Sequence, residues 1–184
     1  MSAERTDNMK RLFPEPPVLA GSRLCLKPLG PENAGDLRKL TGEKAVYRYL
    51  PTFLFEQKYA KAEDVIDRLY DEGLKDSLIL GIFMEGRFCG LAEIYGYREP
   101  ILKASVGYRL LQEEWGRGIA TEALGLMTQE LLSRRGIEII TASTMVENQA
   151  SAHVLRKNGF TLVNHAVGED WGFPEPTPAD KWIR

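Results

Sequence analysis

The sequence predicts an α/β fold of the α+β kind: one domain in which helices cover a mixed, mostly antiparallel sheet. Three observations carry this expectation. The chain has 184 residues, 43% of them hydrophobic and 9% aromatic. That is enough apolar material for one continuous core, at a size where about 70% of the unfolded surface is buried on folding. Three strand-like segments between residues 78 and 111 are joined by short turns, which suit antiparallel neighbours. A strand, a long amphipathic helix and a further strand then follow, and a strand–helix–strand unit makes the sheet mixed.

The elements read as follows. Residues 1–17 form an N-terminal tail, mostly polar and ending in Pro14-Glu15-Pro16-Pro17, which favours extended chain. The domain is expected over residues 18–184. Arg23 to Leu29 alternates polar and apolar residues as a half-buried strand does. Pro31 to Leu40 reads as a helix with Pro in its first turn and Ala34, Leu37 and Leu40 on one stripe. The stretch from Thr41 to Lys58 is irregular and aromatic, and is read as a loop folded over a cavity. A second helix is expected from Ala60 to Gly73, with Ala62, Val65, Ile66 and Leu69 on its apolar face.

Leu78 to Met84 is a continuous apolar strand, Glu85-Gly86-Arg87 a turn, and Phe88 to Tyr97 its hairpin partner. Ala104 to Leu111 is the third strand of this block, with Val106, Tyr108 and Leu110 on one side. A long helix opens after Gly118, carries Ala120, Leu124, Met127 and Leu131 at helical spacing, and closes at Arg134-Arg135-Gly136. Ile137 to Met145 is β-branched and strand-like. A helix from Gln149 to Asn158 ends at Gly159, and Phe160 to Val163 opens a closing segment of one or two strands. The tail beyond it holds Trp171, Phe173 and Trp182.

Composition excludes several classes. With 27% charged residues and a net charge of −2, the whole chain is not disordered, and non-specific nucleic-acid binding is not expected. No apolar run approaches the roughly 20 residues of a membrane span, and the start lacks the apolar stretch of a secretory signal. A cytoplasmic protein is expected. Cys25 and Cys89 are too few for a disulfide framework, and His153 and His165 have no ligand-like neighbours, so no metal site is expected.

Two stretches carry chemistry. In the first, a strand runs into Trp115-Gly116-Arg117-Gly118-Ile119-Ala120-Thr121, a glycine-containing turn that opens the long helix. Free N–H groups and the helix dipole favour an anion there, glycines admit a phosphate close to the main chain, and Arg117 offers a charge-assisted contact. Equally, Gly116 and Gly118 serve a tight connection between packed elements. The second stretch runs from Glu147-Asn148-Gln149-Ala150-Ser151 to Leu155-Arg156-Lys157-Asn158-Gly159-Phe160. Asn148 sits where a strand gives way to a helix and suits an N-cap. Alone, neither Asn148 nor Ser151 implies catalysis.

Together the two stretches resemble the signatures of the GNAT superfamily of acyl-CoA-dependent N-acyltransferases, and most of all its ribosomal-protein N-terminal (alanine/serine) acetyltransferase branch. The family's [QR]-x-x-G-x-[GA] turn is met at Gly118 and Ala120 with Trp115 in the first position, within a W-G-[KR]-G-[YI]-A-T-E-A run typical of that branch. Its N-x-x-S-x-x-x-L-x-K-x-G-F signature is present as Asn148, Ser151, Leu155, Lys157, Gly159 and Phe160. The resemblance covers roughly residues 20–183, with the element order of the GNAT fold, and implies a sheet splayed between its fourth and fifth strands.

By that resemblance, acetyl-CoA is the cosubstrate, with no metal. Its pyrophosphate is expected on Trp115, Gly116, Arg117, Gly118, Ile119, Ala120 and Thr121. Its pantetheine arm is expected beside Leu110 and Leu111 as an added strand, with Asn148 on the opposite side. A main-chain N–H of that strand would polarise the thioester carbonyl. The acceptor is a primary amine, either a protein N-terminus or a small amine, attacking directly. Glu93 is the leading candidate base, with Glu147 and Asp170 as alternatives. Many family members carry a Tyr seven residues after the Asn; here Leu155 stands there, and Ser151 is the hydroxyl that would protonate the thiolate, unless no acid is used. Cys25 and Cys89 sit in apolar strand contexts and are not expected to carry the acyl group. No direct nucleic-acid or membrane partner is expected, and a homodimer is admitted. A second reading is a catalytically silent acyl-CoA-binding or regulatory module on the same fold. A nucleotide-phosphate binder would need a Lys or an acidic ribose partner that the sequence does not place.

Overall fold

The computed structural model describes residues 8–184. A short helix, α1 (Asn8–Leu12), leads to strands β1 (Leu19–Ala20) and β2 (Leu24–Lys27). Helices α2 (Ala34–Gly42), α3 (Lys44–Tyr47) and α4 (Ala62–Leu69) follow. Strands β3 (Ser77–Met84), β4 (Arg87–Arg98) and β5 (Lys103–Leu110) form an antiparallel meander. Helix α5 (Ile119–Gln129) ends in a π turn at Glu130–Arg134. Then come β6 (Ile139–Met145), α6 (Gln149–Lys157), β7 (Thr161–Glu169) and β8 (Thr177–Ile183). All eight strands lie in one sheet, in the order β1-β2-β3-β4-β5-β6-β8-β7. Only the β5–β6 pair is parallel.

Each face of the sheet has its own core. Leu78, Leu80 and Ile82 of β3 pack with Leu124, Met127 and Leu131 of the α5 segment and with Leu155 of α6. The alternate residues Ile79 and Phe83 pack with Leu37 and Leu40 of α2 and with Val65, Ile66 and Leu69 of α4. A strand covered on both faces has no polar side, which is why this one reads as an unbroken apolar run.

Strands β5 and β6 pair only through Lys103–Ile139, Ala104–Ile140 and Ser105–Thr141. The last pair is tied by a 2.8 Å hydrogen bond between the Ser105 and Thr141 hydroxyls. Beyond it the two strands separate. β5 continues against β4, while β6 continues against β8, from Ala142–Trp182 to Met145–Ala179. The sheet therefore opens a cleft between its fifth and sixth strands in this numbering, because the short β1 adds one strand before them.

Part of the stretch before residue 18 packs against the sheet domain. Residues 1–7 lie outside the described residues, but Met9, Leu12 and Phe13 are buried in the α5-side core. Arg135 stacks on the Phe13 ring and donates to the Leu12 carbonyl (3.2 Å). Three apolar residues in one turn of helix supply a docking face that the surrounding polar residues and prolines concealed. The second helix is shorter than expected: α4 ends at Leu69, and Gly73 begins a separate 3-10 turn. At the other end, β7 runs on to Glu169, and β8 makes the closing strands two. β8 inserts between β6 and β7 and buries Trp182, whose indole donates to the Thr144 hydroxyl (3.0 Å). Prolines at 174, 176 and 178 broke the alternation by which a strand is recognised.

Candidate active site

The cleft between β5 and β6 opens into a cavity of about 510 Å³. It passes through the sheet. On the α5–α6 side it is lined by Tyr108, Leu124, Asn148, Ser151 and Leu155; on the α2–α4 side by Glu93, Tyr95 and Arg109. The aromatic stretch expected to fold over a cavity does so: Tyr49, Phe53, Leu54 and Phe55 line it, as does Trp171 from the β7–β8 connection. That stretch is not wholly irregular, since it contains α3 and a 3-10 turn at Phe55–Gln57.

Main-chain polarity along β5 follows from one bond. The Leu111 N–H donates to the Cys89 carbonyl (3.0 Å), and the Leu111 carbonyl accepts from the Glu114 N–H (2.9 Å). Both main-chain groups of Leu111 are thus used inside the protein, and its side chain is buried among α2 and α4 residues. Leu111 is therefore not placed to line the cleft, contrary to expectation. Alternation along the strand turns the main chain of Leu110 and Tyr108 to the open side. There the Trp115 indole donates to the Leu110 carbonyl (3.0 Å).

The turn from Trp115 to Thr121 begins where β5 ends and opens α5. Gly116 (φ 72°) and Gly118 (φ 77°) both have left-handed backbone, which an L side chain adopts only at a cost. A Cβ on Gly116 would meet nothing within 4 Å, and one on Gly118 would meet Arg23 at 3.4 Å, so the glycines are there for backbone conformation and not to relieve crowding. Among the described residues, no acceptor is found for the main-chain N–H groups of residues 116–121. Six unpaired donors at a helix N-terminus fit a diphosphate. The Ile119 side chain is buried in the core, so its part in the turn is through its main chain. The Arg117 guanidinium is held on the buried Glu114 carboxylate (2.5 Å), which also pairs with Arg87, and stays about half exposed.

Asn148 caps α6. Its Oδ1 accepts the Ser151 N–H (3.2 Å), and its side-chain NH2 has no acceptor among the described residues while the residue lines the cavity. The Ser151 hydroxyl lies 2.9 Å from the Tyr108 hydroxyl across the cleft. Burial pushes the Tyr108 phenol up to about 12, with the Ser151 hydrogen bond opposing, so it stays protonated at neutral pH.

Glu93 lines the cavity on the opposite side of the sheet from Ser151, and its Oε2 accepts from Arg109 Nη1 (3.0 Å). Sequence reasoning missed Arg109 and its second partner, Glu56. Arg109 is buried in the floor of the cavity and grips Glu56 with Nε and Nη2, the latter at 2.9 Å. The Tyr47 hydroxyl also donates to Glu56 (3.3 Å). Burial alone would raise the Glu56 carboxyl, but the Arg109 guanidinium outweighs it and holds that carboxyl below the usual range. Tyr95 is pushed up by burial and by the charges of Glu93 and Glu169. No local sequence pattern links residues 56, 93 and 109; only an arginine in the apolar run of β5 hinted at a buried anion.

Of the alternative bases, Asp170 lines the cavity and accepts from the Gly172 N–H (2.9 Å), while Glu147 is not among the lining residues. Glu169, not considered from sequence, lines the cavity in an ion pair with Lys181 (2.5 Å). Neither cysteine lines the cavity, and burial raises the Cys89 thiol. Among the described residues no group of three His, Cys, Asp or Glu is placed to hold a metal, and no helix is long and apolar enough to cross a membrane.

Comparison with known proteins agrees with this geometry. An acetyltransferase (GNAT) domain model matches residues 23–161. An uncharacterized N-acetyltransferase of Bacillus subtilis, YoaA, is 24% identical over 168 residues, covering 89% of this chain and 93% of its own. The fold is similar to that of RimL, a ribosomal alpha-N-protein acetyltransferase solved in complex with coenzyme A. The TM-score is 0.76 at 19% identity, over 91% of this chain and 97% of that one. It is also similar to the spermidine N-acetyltransferase of Vibrio cholerae in complex with CoA and spermine, with a TM-score of 0.73 at 18% identity, over 89% and 96% of the two chains. With the split sheet, the open N–H turn and a family match over three-quarters of its length, the chain belongs to the GNAT family of acetyl-CoA-dependent N-acetyltransferases.

Proposed function

We propose that this enzyme acetylates a primary amine, a protein N-terminus or a small amine, by direct attack. The observation that supports this is the single cavity that crosses the split in the sheet, with the capping amide and hydroxyl on one side and a carboxylate on the other. Acetyl-CoA supplies an activated acyl group as a thioester. The unpaired N–H groups of residues 116–121 would hold its diphosphate, and the main-chain edge at Tyr108 and the Leu110 N–H would pair with its pantetheine arm, with the free Asn148 NH2 opposite.

On the far side, Glu93 accepts the proton that the attacking ammonium must lose, directly or through a water. Arg109 keeps that carboxylate in place through one oxygen and leaves Oε1 without a protein partner among the described residues. Ser151 serves the departing sulfur. The aromatic wall of Tyr49, Phe53, Phe55 and Trp171, together with Glu93 and Asp170, suits a cation with apolar neighbours. The test is release of free thiol from acetyl-CoA against a panel of amines and N-terminal peptides. Turnover with at least one amine is expected, and its absence with all of them would leave a silent acyl-CoA-binding module.

A further inference from the structure

We infer that Tyr108 is the positioning residue that aims the Ser151 hydroxyl at the departing sulfur, an inference that rests on the reading of Ser151 above. The two hydroxyls lie 2.9 Å apart, one from β5 and one from the first turn of α6, facing each other across the cleft. Among the described residues neither oxygen has another hydrogen-bond partner. Ser151 is fixed at its other end, because its N–H is bound by the Asn148 cap (3.2 Å). Its hydroxyl does not turn back onto the helix, the usual alternative for a serine in a first turn. Of the residues lining the surrounding wall, Leu124, Leu155 and Ala142 are apolar, while the Thr144 hydroxyl accepts from the Trp182 indole and Asn148 Oδ1 from the Ser151 N–H.

In such a pair only one proton lies between the oxygens, and the stronger donor supplies it. A phenol is more acidic than an aliphatic alcohol, so Tyr108 donates and the Ser151 oxygen accepts. The Ser151 proton is then excluded from the line between them and is left to point into the cleft. There it meets the sulfur as the carbon–sulfur bond breaks and the sulfur takes the bonding pair. The sulfur departs as a thiolate stabilised by that hydrogen bond, and takes its proton from solvent afterwards. Neither hydroxyl has to ionise. Tyr108 thus acts on the sulfur only through Ser151, by fixing where the serine proton points. Without the phenol, the Ser151 hydroxyl would rotate among several orientations, only one of them useful.

The test is a double-mutant cycle with the most active amine. Tyr108→Phe keeps the ring that lines the cavity and removes only the hydroxyl. The expected result is a fall in kcat of about tenfold, the worth of one hydrogen bond made in the transition state, with KM for acetyl-CoA within twofold of wild type. Ser151→Ala should lose a similar factor, and the double variant no more than Ser151→Ala alone, because the two hydroxyls act as one unit. Protection from thermal unfolding by acetyl-CoA, unchanged in each variant, shows that the fold and the cofactor site survive. Wild-type kcat in Tyr108→Phe, or losses that multiply in the double variant, would overturn this inference and leave the proposed reaction standing. A wild-type enzyme that turns over no amine would overturn both.

Discussion

Replacing Arg109 with Met tests whether one buried cation holds the acceptor side together. The guanidinium is 2% exposed and is shared between Glu56, 1% exposed, and Glu93, 13% exposed. Met is close in length and apolar, so the change strands two carboxylates without opening a large void. Breaking a buried pair by removing one partner costs about 3–5 kcal/mol, and a domain of this size loses roughly 2–4 °C of Tm per kcal/mol, so a fall of roughly 6–20 °C is expected at pH 7.

The pH dependence carries a sign. In the wild type, Arg109 keeps the Glu56 carboxyl below its unfolded position. Such a group contributes stability above the unfolded pKa of about 4.3, and that contribution is lost as pH falls through the folded value. In Arg109→Met the opposing influence is gone and burial raises the Glu56 carboxyl, so the variant regains stability as that group takes up a proton. Scanning calorimetry at pH 7 and pH 5 should therefore show the gap between wild type and variant narrowing at the lower pH. Adding Glu56→Gln should recover part of the loss, since it removes one stranded charge. Because Glu56 belongs to the turn that closes the cavity, KM for the amine should rise more than KM for acetyl-CoA. An unchanged Tm, or a gap that widens toward pH 5, would show that the three charges are not coupled as the geometry implies.

Three further outcomes are expected. Gly118→Asp places a side chain and a negative charge at the N–H turn; acetyl-CoA should raise the Tm of wild type but not of this variant, and equal protection would put the phosphates elsewhere. Asn148→Asp keeps the cap acceptor but loses the free NH2, so its unliganded stability should stay within about 0.5 kcal/mol of wild type while acetyl-CoA binding weakens. Wild-type binding would reduce Asn148 to a cap. Phe13→Ala should cost about 3–5 kcal/mol in urea unfolding, because the ring is fully buried against the α5-side core; a loss under about 1 kcal/mol would make α1 an appendage.

Much of this protein was legible before its tertiary structure was seen, and for a physical reason. The hairpin at residues 85–87, the strand pattern of β3 to β5, the α5 stripe and the Asn148 cap are local matters of turn chemistry, side-chain period and main-chain capping. The N–H turn belongs with them, because two left-handed glycines and a helix start lie within a few consecutive residues. These short-range features were also the ones that carried the family resemblance.

What only the tertiary structure decided depends on contacts far apart in the chain. Whether β5 and β6 stay apart beyond Ser105 and Thr141 depends on β8, drawn in from the C-terminus to pair with β6. That Glu93 is held by Arg109, that Arg109 also grips Glu56 from a loop 53 residues away, and that Tyr108 meets Ser151 across the cleft follow from packing alone. A charge or hydroxyl in a strand pattern announces which face it takes but not what it will meet there. That choice is made when burial in low dielectric forces each polar group to find a partner among the elements the fold brings within reach.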